Sequence, residues 1–273
     1  MINFTYDGEK LSDYGMMVCK IDSSSGVETV SSGADIIHSQ LKSSFSSTFN
    51  IMSSAYEEPM VFTFQICKIP CGNQEDMYIS TQEVSAIQRW LCRKNEYKRF
   101  KIEDDEFYNV YWDGTFSAKQ ITLNEKIIGL ELTLHTNAPY AFYDEIVITQ
   151  ICEAGKSFDI YDNSDELSDV YNTIRPIVNV EILDGDDGQF VLTNSMDGKS
   201  TVLNNCVDGE VISFDGKNLI ISSSDKCHAL GRDFNYHFPR LINTYSNRCN
   251  TFTPSLKCKI TVTYSPIKKI GFV

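Results

Sequence analysis

The chain is poor in histidine, proline and tryptophan, and short of positive charge. Its 273 residues hold four His, seven Pro and two Trp, with 24 Lys and Arg against 37 Asp and Glu. The net charge of −13 repels phosphate backbones, which argues against a nucleic-acid partner for the chain as a whole. No apolar run approaches the roughly 20 residues that cross a bilayer as a helix, so membrane insertion is not expected. The start, Met1-Ile2-Asn3-Phe4-Thr5-Tyr6, lacks the basic opening and apolar stretch of a signal peptide. No stretch is of low enough complexity to form a disordered tail.

Patterns that carry chemistry are missing too. His38, His135, His228 and His237 form no HExxH pair and share no zinc spacing with cysteines. Cys67 and Cys71 stand four apart across a proline turn without a second pair in range. Adjacent Cys227 and His228 cannot both reach one ion from a regular strand. Asp184-Gly185-Asp186-Asp187-Gly188 has oxygen donors suited to calcium but lacks the terminal glutamate of an EF-hand, and reads as an acidic hairpin turn. Glu103-Asp104-Asp105-Glu106 reads as a solvated turn between strands. There is no Gly-x-Ser-x-Gly elbow, Walker loop or dinucleotide fingerprint. Paired carboxylates for glycoside hydrolysis would leave no sequence mark, because their geometry arises in three dimensions. Tyr108, Tyr111 and Trp112 have ring surface for a sugar, but the alternation around them equally describes a strand with one face in a core. No catalytic, cofactor-binding or metal-ligating residue is assigned, and no cofactor or enzymatic activity is expected.

The nine cysteines are Cys19, Cys67, Cys71, Cys92, Cys152, Cys206, Cys227, Cys249 and Cys258. Odd in number, scattered and set within apolar strand patterns, they fit reduced, buried thiols better than a disulfide framework, with room for one or two bridges. The one local basic stretch, Arg89, Arg93, Lys94, Lys98, Arg99 and Lys101, reads as the positive end of a helix and its solvated flank.

What is present points to strands. Apolar residues make up 42% of the chain, and 16 Phe and 14 Tyr join many Val, Ile and Thr in favouring pleated, half-buried surfaces. The length exceeds what one core usually organises, so two domains are expected. Asn137-Ala138-Pro139-Tyr140-Ala141 breaks the pattern and sets the expected domains at 1–141 and 142–273.

In the first half, Asp7-Gly8 marks a turn after an opening strand, and Ser23–Gly26 and Ser31–Gly33 mark loops. The serine-rich section Ser43–Ser54, with Phe45, Phe49 and Ile51, suits an extended hairpin arm; such a ribbon packs poorly alone and suits lying on a neighbour, such as another copy. Phe62, Phe64 and Ile66 alternate toward a core, and a turn follows around Pro70–Asn73. Ser80-Thr81-Gln82-Glu83 has capping-box spacing, and Val84, Ile87, Trp90 and Leu91 then share one helical face. Strands are expected at Phe100–Ile102, at Phe107–Trp112 with a turn at Asp113-Gly114, and at Phe116–Leu123. Another follows with Ile128, Leu130, Leu132 and Leu134 on one face. The second half alternates short apolar runs, including Ile177–Leu183, Phe190–Thr193, Val211–Phe214 and Leu219–Ile221, with Asp-Gly turns at 184, 187, 197, 208 and 215. Cys258, Ile260, Val262 and Tyr264 alternate in a last strand, and the whole half predicts a sandwich or jelly roll.

The order of several motifs resembles the distal tail proteins of long-tailed bacteriophages. They are Phe4, Tyr6 and Gly8 followed by Leu11–Met16, the strand Phe62–Lys68, the helix with Ile87-Gln88-Arg89-Trp90-Leu91, and Tyr97-Lys98-Arg99-Phe100. Asn137–Ala141, then Phe234 with Phe238-Pro239-Arg240-Leu241-Ile242-Asn243, complete the series. The resemblance implies a mainly β chain: an N-terminal barrel-like β domain with one α-helix and a β-hairpin arm, then a C-terminal galectin-like β-sandwich. It further implies a hexameric hub ring joining the tail tube to the tail tip or baseplate. The implied partners are other copies of the chain, the tail tube protein, a tail-associated lysin or tip protein, and a receptor-binding protein. The implied place is the virion tail tip, after synthesis in the bacterial host cytoplasm. Two other readings stand beside it: a carbohydrate-binding module for host-wall attachment, and a cell-wall glycosidase.

Overall fold

The structure, a computed structural model, describes residues 3–21, 33–42, 48–69, 77–168, 173–184, 188–244 and 246–270. The expected loop at 23–26, most of the loop at 31–33, the tip of the arm with Phe45, the turn at 70–73 with Cys71, and residues 185–187 of the acidic turn lie outside them. The chain forms two compact units, one of Met1–Tyr143 together with the segment from Lys268, the other of Asp144–Ile267. It is mainly β.

The first unit contains β1 (Phe4–Tyr6), β2 (Glu9–Lys10), β3 (Met16–Cys19), β4 (Ile36–Lys42), β5 (Phe49–Tyr56), β6 (Val61–Lys68), β7 (Lys98–Ile102), β8 (Val110–Leu123), β9 (Lys126–Thr136) and β10 (Ala141–Tyr143), with the helix α1 (Thr81–Leu91). Its main sheet runs β2-β1-β7-β8-β9-β6-β3, and β10 pairs with β8. Among the described residues β2 and β3, at the two ends of this path, do not pair with each other, so the barrel-like domain is an open sheet and not a closed barrel.

Turn chemistry places the strands. Asp7 and Gly8, with φ of 53° and 82°, make the tight turn between β1 and β2. Asn124 and Glu125, with φ of 49° and 66°, make the one between β8 and β9. The turn expected at Asp113-Gly114 does not occur, because β8 runs through it. Glycine is needed there for closeness: a Cβ on Gly114 would stand 2.6 Å from Leu134 Cδ1 and 2.8 Å from the His135 carbonyl oxygen of β9. In a strand a glycine often marks such close approach instead of a bend.

α1 begins as its spacing predicts. The Ser80 hydroxyl accepts from the Glu83 N–H at 3.2 Å, and Glu83 accepts from the Ser80 N–H at 2.7 Å. Lys68 adds an ion pair at 2.8 Å and, with the Ser80 N–H, lowers the Glu83 carboxyl to about 2. Val84, Ile87, Trp90 and Leu91 are all buried, packed with Phe4, Tyr6, Phe100, Phe116, Leu130 and Leu132 of the sheet. Fully burying side chains of this size contributes about 1.5–3 kcal/mol each.

The second unit contains β11 (Ile146–Cys152), β12 (Phe158–Tyr161), β13 (Ile177–Asp184), β14 (Gly188–Asn194), β15 (Ser200–Cys206), β16 (Val211–Asp215), β17 (Ile220–Ser223), β18 (Cys249–Pro254) and β19 (Lys257–Tyr264), with a single helical turn α2 (Leu230–Asp233). One sheet runs β11-β19-β13-β16-β17 and the other β12-β18-β14-β15. Alternation turns Val178, Val180, Phe214, Ile260 and Val262 of the first toward Ile160, Phe190, Leu192, Leu203 and Phe252 of the second, in one core. Phe190 stacks on Phe214 across the gap at 6.3 Å. This is the expected β-sandwich.

Of the Asp-Gly signals, Gly198 and Gly209 take φ of 67° and 75°, as tight turns require. At the turn after Asp215 the left-handed residue is Leu219, with φ of 57°. Gly216 serves a close approach there, since a Cβ would stand 2.7 Å from the Pro176 carbonyl oxygen.

Candidate functional site

Two titratable clusters of the second unit are buried and internally paired. In the second unit His228 Nδ1 lies 2.6 Å from Glu210 Oε1, and Nε2 lies 2.9 Å from the Asn204 carbonyl oxygen. The Ser223 hydroxyl donates to the same Glu210 oxygen and not to the imidazole. With the His228 and Glu210 side chains 1% and 0% exposed, this group braces β15, β16 and β17 and offers no surface to a substrate. His237 and Arg240 both bond the buried Asp197 carboxylate, His237 at 2.8 Å. Burial pushes the Asp197 carboxyl up, and the hydrogen bonds from Arg240 and His237 outweigh it and hold the group below the usual carboxylate range.

His38 and His135 lie exposed on β4 and β9. Among the described residues no three His, Cys, Asp or Glu side chains stand together as ligands for one metal ion. Trp112 is fully buried, and Tyr111 is buried between the Phe142 ring, stacked at 5.6 Å, and the Arg99 guanidinium, 3.7 Å from its centroid. Of the three rings considered for a sugar platform, only Tyr108 is exposed.

Arg93, Lys98 and Arg99 of the basic stretch pair within the first unit, while Arg89 and Lys94 lie exposed. Arg93 pairs with Asp7 at 3.1 Å and donates to the Trp90 carbonyl at 3.0 Å. Lys98 stands 3.4 Å from Glu96, and Arg99 stands 3.8 Å from Asp113. These cations serve the end of α1 and the strand after it.

The feature left open is the ribbon of β4 and β5. It forms its own two-stranded sheet, paired from Ile36↔Tyr56 to Lys42↔Phe49 with a bulge between Ser39 and Gln40. A two-stranded ribbon is marginal in water without something to cover it. Yet Ile36, Ile37, Leu41, Phe49, Ile51 and Met52 are all between 50% and 67% exposed. Register places Ile37 and Leu41 on the face opposite Ile36 and Phe49, so both faces are apolar in part. Exposed apolar surface of this extent marks an interaction site. At its root the Glu57 N–H donates to the Asp35 carbonyl at 3.0 Å, and Tyr56 packs edge-on against Tyr140 at 6.1 Å.

The expected arm at 43–54 takes in only part of this ribbon. Ile36, Ile37 and Leu41 of the first strand fall outside the serine-rich window. A second signal marks them: residues 36–56 contain no Asp or Glu, in a chain that has 37. Carboxylates return at the root, where Asp35, Glu57 and Glu58 line a recess floored by Met60 and Phe62.

A family model described as a phage tail protein N-terminal domain matches residues 1–138. A second, described as a phage tail C-terminal domain, matches residues 140–264. No curated protein matches the sequence. Among solved structures, the crystal structure of the Dit protein (gp 19.1) of phage SPP1 shares the fold with a TM-score of 0.67 at 10% identity, over 97% of this chain and 99% of that one. That protein is described as a paradigm of the hub adsorption apparatus in phages that infect Gram-positive hosts. A chain of the phage P2 baseplate, in its activated conformation with Ca, aligns over 100% of both chains at 10% identity, with a TM-score of 0.47.

Proposed function

We propose that this chain, which belongs to the phage tail protein family matched by those two models, is a hub component that assembles with copies of itself into a hexameric ring between the tail tube and the tail tip or baseplate. The observation that carries the reading is the β4–β5 ribbon: apolar on both faces, exposed, and free of carboxylates. Lying on a second copy would cover it, and the acidic recess at the root of the next copy's ribbon complements its Lys42. A surface that meets a different patch on an identical neighbour generates a ring when the rotation closes. The shared fold with a protein described as a hub supports the same reading.

The role is structural and non-catalytic, at the tail tip of a virion made in the host cytoplasm. The tail tube protein, a tail-associated lysin or tip protein and a receptor-binding protein are the further partners. The burial of Tyr111 and Trp112 gives no support to a sugar platform in the first unit. The test is mass measurement and electron microscopy of the purified chain, alone and with the tail tube protein. A closed ring is expected. Monomers at high concentration in both samples would overturn the proposal.

A further inference from the structure

Two cysteines face each other in the core of the second unit. Cys152 ends β11, Cys258 stands in β19, and the two are direct cross-strand partners. Directly opposed residues send their side chains to the same face of a sheet. Here that face is the sandwich core, where both thiols are buried and Cys258 stands beside Ile182 of β13. Opposed antiparallel residues have Cα atoms about 4.5–5.5 Å apart. A disulfide spans about 4.4–6.8 Å between Cα atoms, so the register puts the pair within bridging range. Cys19 and Cys67 make the contrast. They lie on neighbouring strands but oppose Gln65 and Met17, a diagonal placement in which the two thiols meet through a hydrogen bond and not from directly facing positions.

We propose that Cys152 and Cys258 form a redox-responsive dithiol, closing to an intramolecular disulfide when the folded protein meets a disulfide oxidant such as oxidised glutathione. The Cys152 thiolate attacks the oxidant, forms a mixed disulfide and expels one glutathione thiolate. The Cys258 thiolate then attacks the Cys152 sulfur, forming the protein S–S bond and expelling the second glutathione. Two protein thiols thereby lose two protons and two electrons, and the oxidant takes up both as two thiols.

Cys152 is the point of entry, being the last residue of an edge strand that has β19 on one side only. Strand ends of this kind open locally far more often than the whole domain unfolds. Burial pushes the Cys258 thiol up to about 12 and the Cys152 thiol in the same direction. Thiolate is therefore scarce at neutral pH, and closure is slow and steeply dependent on pH. The bond would tie the first strand of the unit to its last across a long stretch of sequence, the arrangement in which a crosslink restricts the unfolded chain most. The inference stands whether or not the protein forms a ring.

The test uses the folded wild-type chain incubated with oxidised glutathione, then alkylated in denaturant, digested and mapped by mass spectrometry. Expected are a Cys152–Cys258 linked peptide, the loss of two free thiols and a rise of several degrees in the second unit's thermal midpoint, all reversed by dithiothreitol. The rate should rise about tenfold per pH unit near neutrality. Cys152→Ser and Cys258→Ser should each abolish both the link and the thermal shift. If the wild-type map instead shows both residues alkylated, or linked to other cysteines while the fold is intact, the proposal is overturned.

Discussion

The indole N–H of Trp90 donates to the backbone carbonyl of Tyr6 at 2.9 Å. The bond ties α1 to the opening strand, and the same ring stacks on Tyr14 at 4.4 Å and on Phe4 at 5.9 Å. Trp90→Ala removes all of these and should cost about 3–5 kcal/mol, read from urea denaturation of the first unit. Trp90→Phe keeps most of the apolar contact and leaves the carbonyl unpaired, for a loss of about 1–2 kcal/mol.

The ribbon should be separable from the fold. Ile37→Asp with Leu41→Asp adds charge to residues already in water, so stability should stay within about 0.5 kcal/mol of wild type. Self-association measured by sedimentation should be lost. An unchanged oligomer would mean that this face of the ribbon is not the contact.

Some of this architecture was legible in the residues and some was not, for identifiable reasons. α1 was readable to the residue because a capping box and a 3.6-residue period act together at Ser80, Glu83, Val84, Ile87, Trp90 and Leu91. The strand of Leu130, Leu132 and Leu134 was readable because a half-buried strand must alternate. Gly114 misled because glycine serves both turns and close packing, and only the position of Leu134 decides between them. The start of the ribbon was missed because β4 lies in water on both faces, so no burial pattern marks it. Its composition held the signal that periodicity could not.

Gly114→Ala tests the packing reading directly. The new methyl group would meet Leu134 and the His135 carbonyl in the middle of the β8–β9 pair. A loss of about 1–3 kcal/mol is expected from this overpacking, measured by thermal or urea denaturation. A neutral result would return Gly114 to the role of a flexible joint.

Asn250 holds the segment before β18 in place. Its side-chain oxygen accepts from the Ile242 N–H and from Asn194, both at 2.8 Å, and its amide donates to the Ile242 carbonyl at 2.9 Å. It is fully buried, so Asn250→Ala leaves several polar groups without partners or water. A loss of about 2–3 kcal/mol is expected in the denaturation of the second unit.

Acid should weaken α1 through Glu83. Its carboxyl is held near 2 in the folded chain, chiefly by Lys68, against an ordinary value of 4.5. A lowered folded value means that the contribution is fully present above about 4.5 and is lost as pH falls toward 2. The side chain is about a third exposed, so screening reduces the effect to about 1 kcal/mol. Glu83→Gln should flatten the stability of the first unit across that acid range and leave its slope above pH 5 unchanged.

The second unit is held by the chain at both ends. The path leaves the first unit after Tyr143 and rejoins it at Lys268, and Ile146 pairs with Tyr264 where the sandwich begins and ends. Entry and exit therefore sit side by side on neighbouring strands. This is the geometry of an inserted cassette, whose removal leaves two chain ends that a short linker can rejoin. The first unit can thus keep its own sheet, helix and ribbon when the segment carried between Tyr143 and Lys268 is replaced by a short linker, or by another domain whose ends lie equally close.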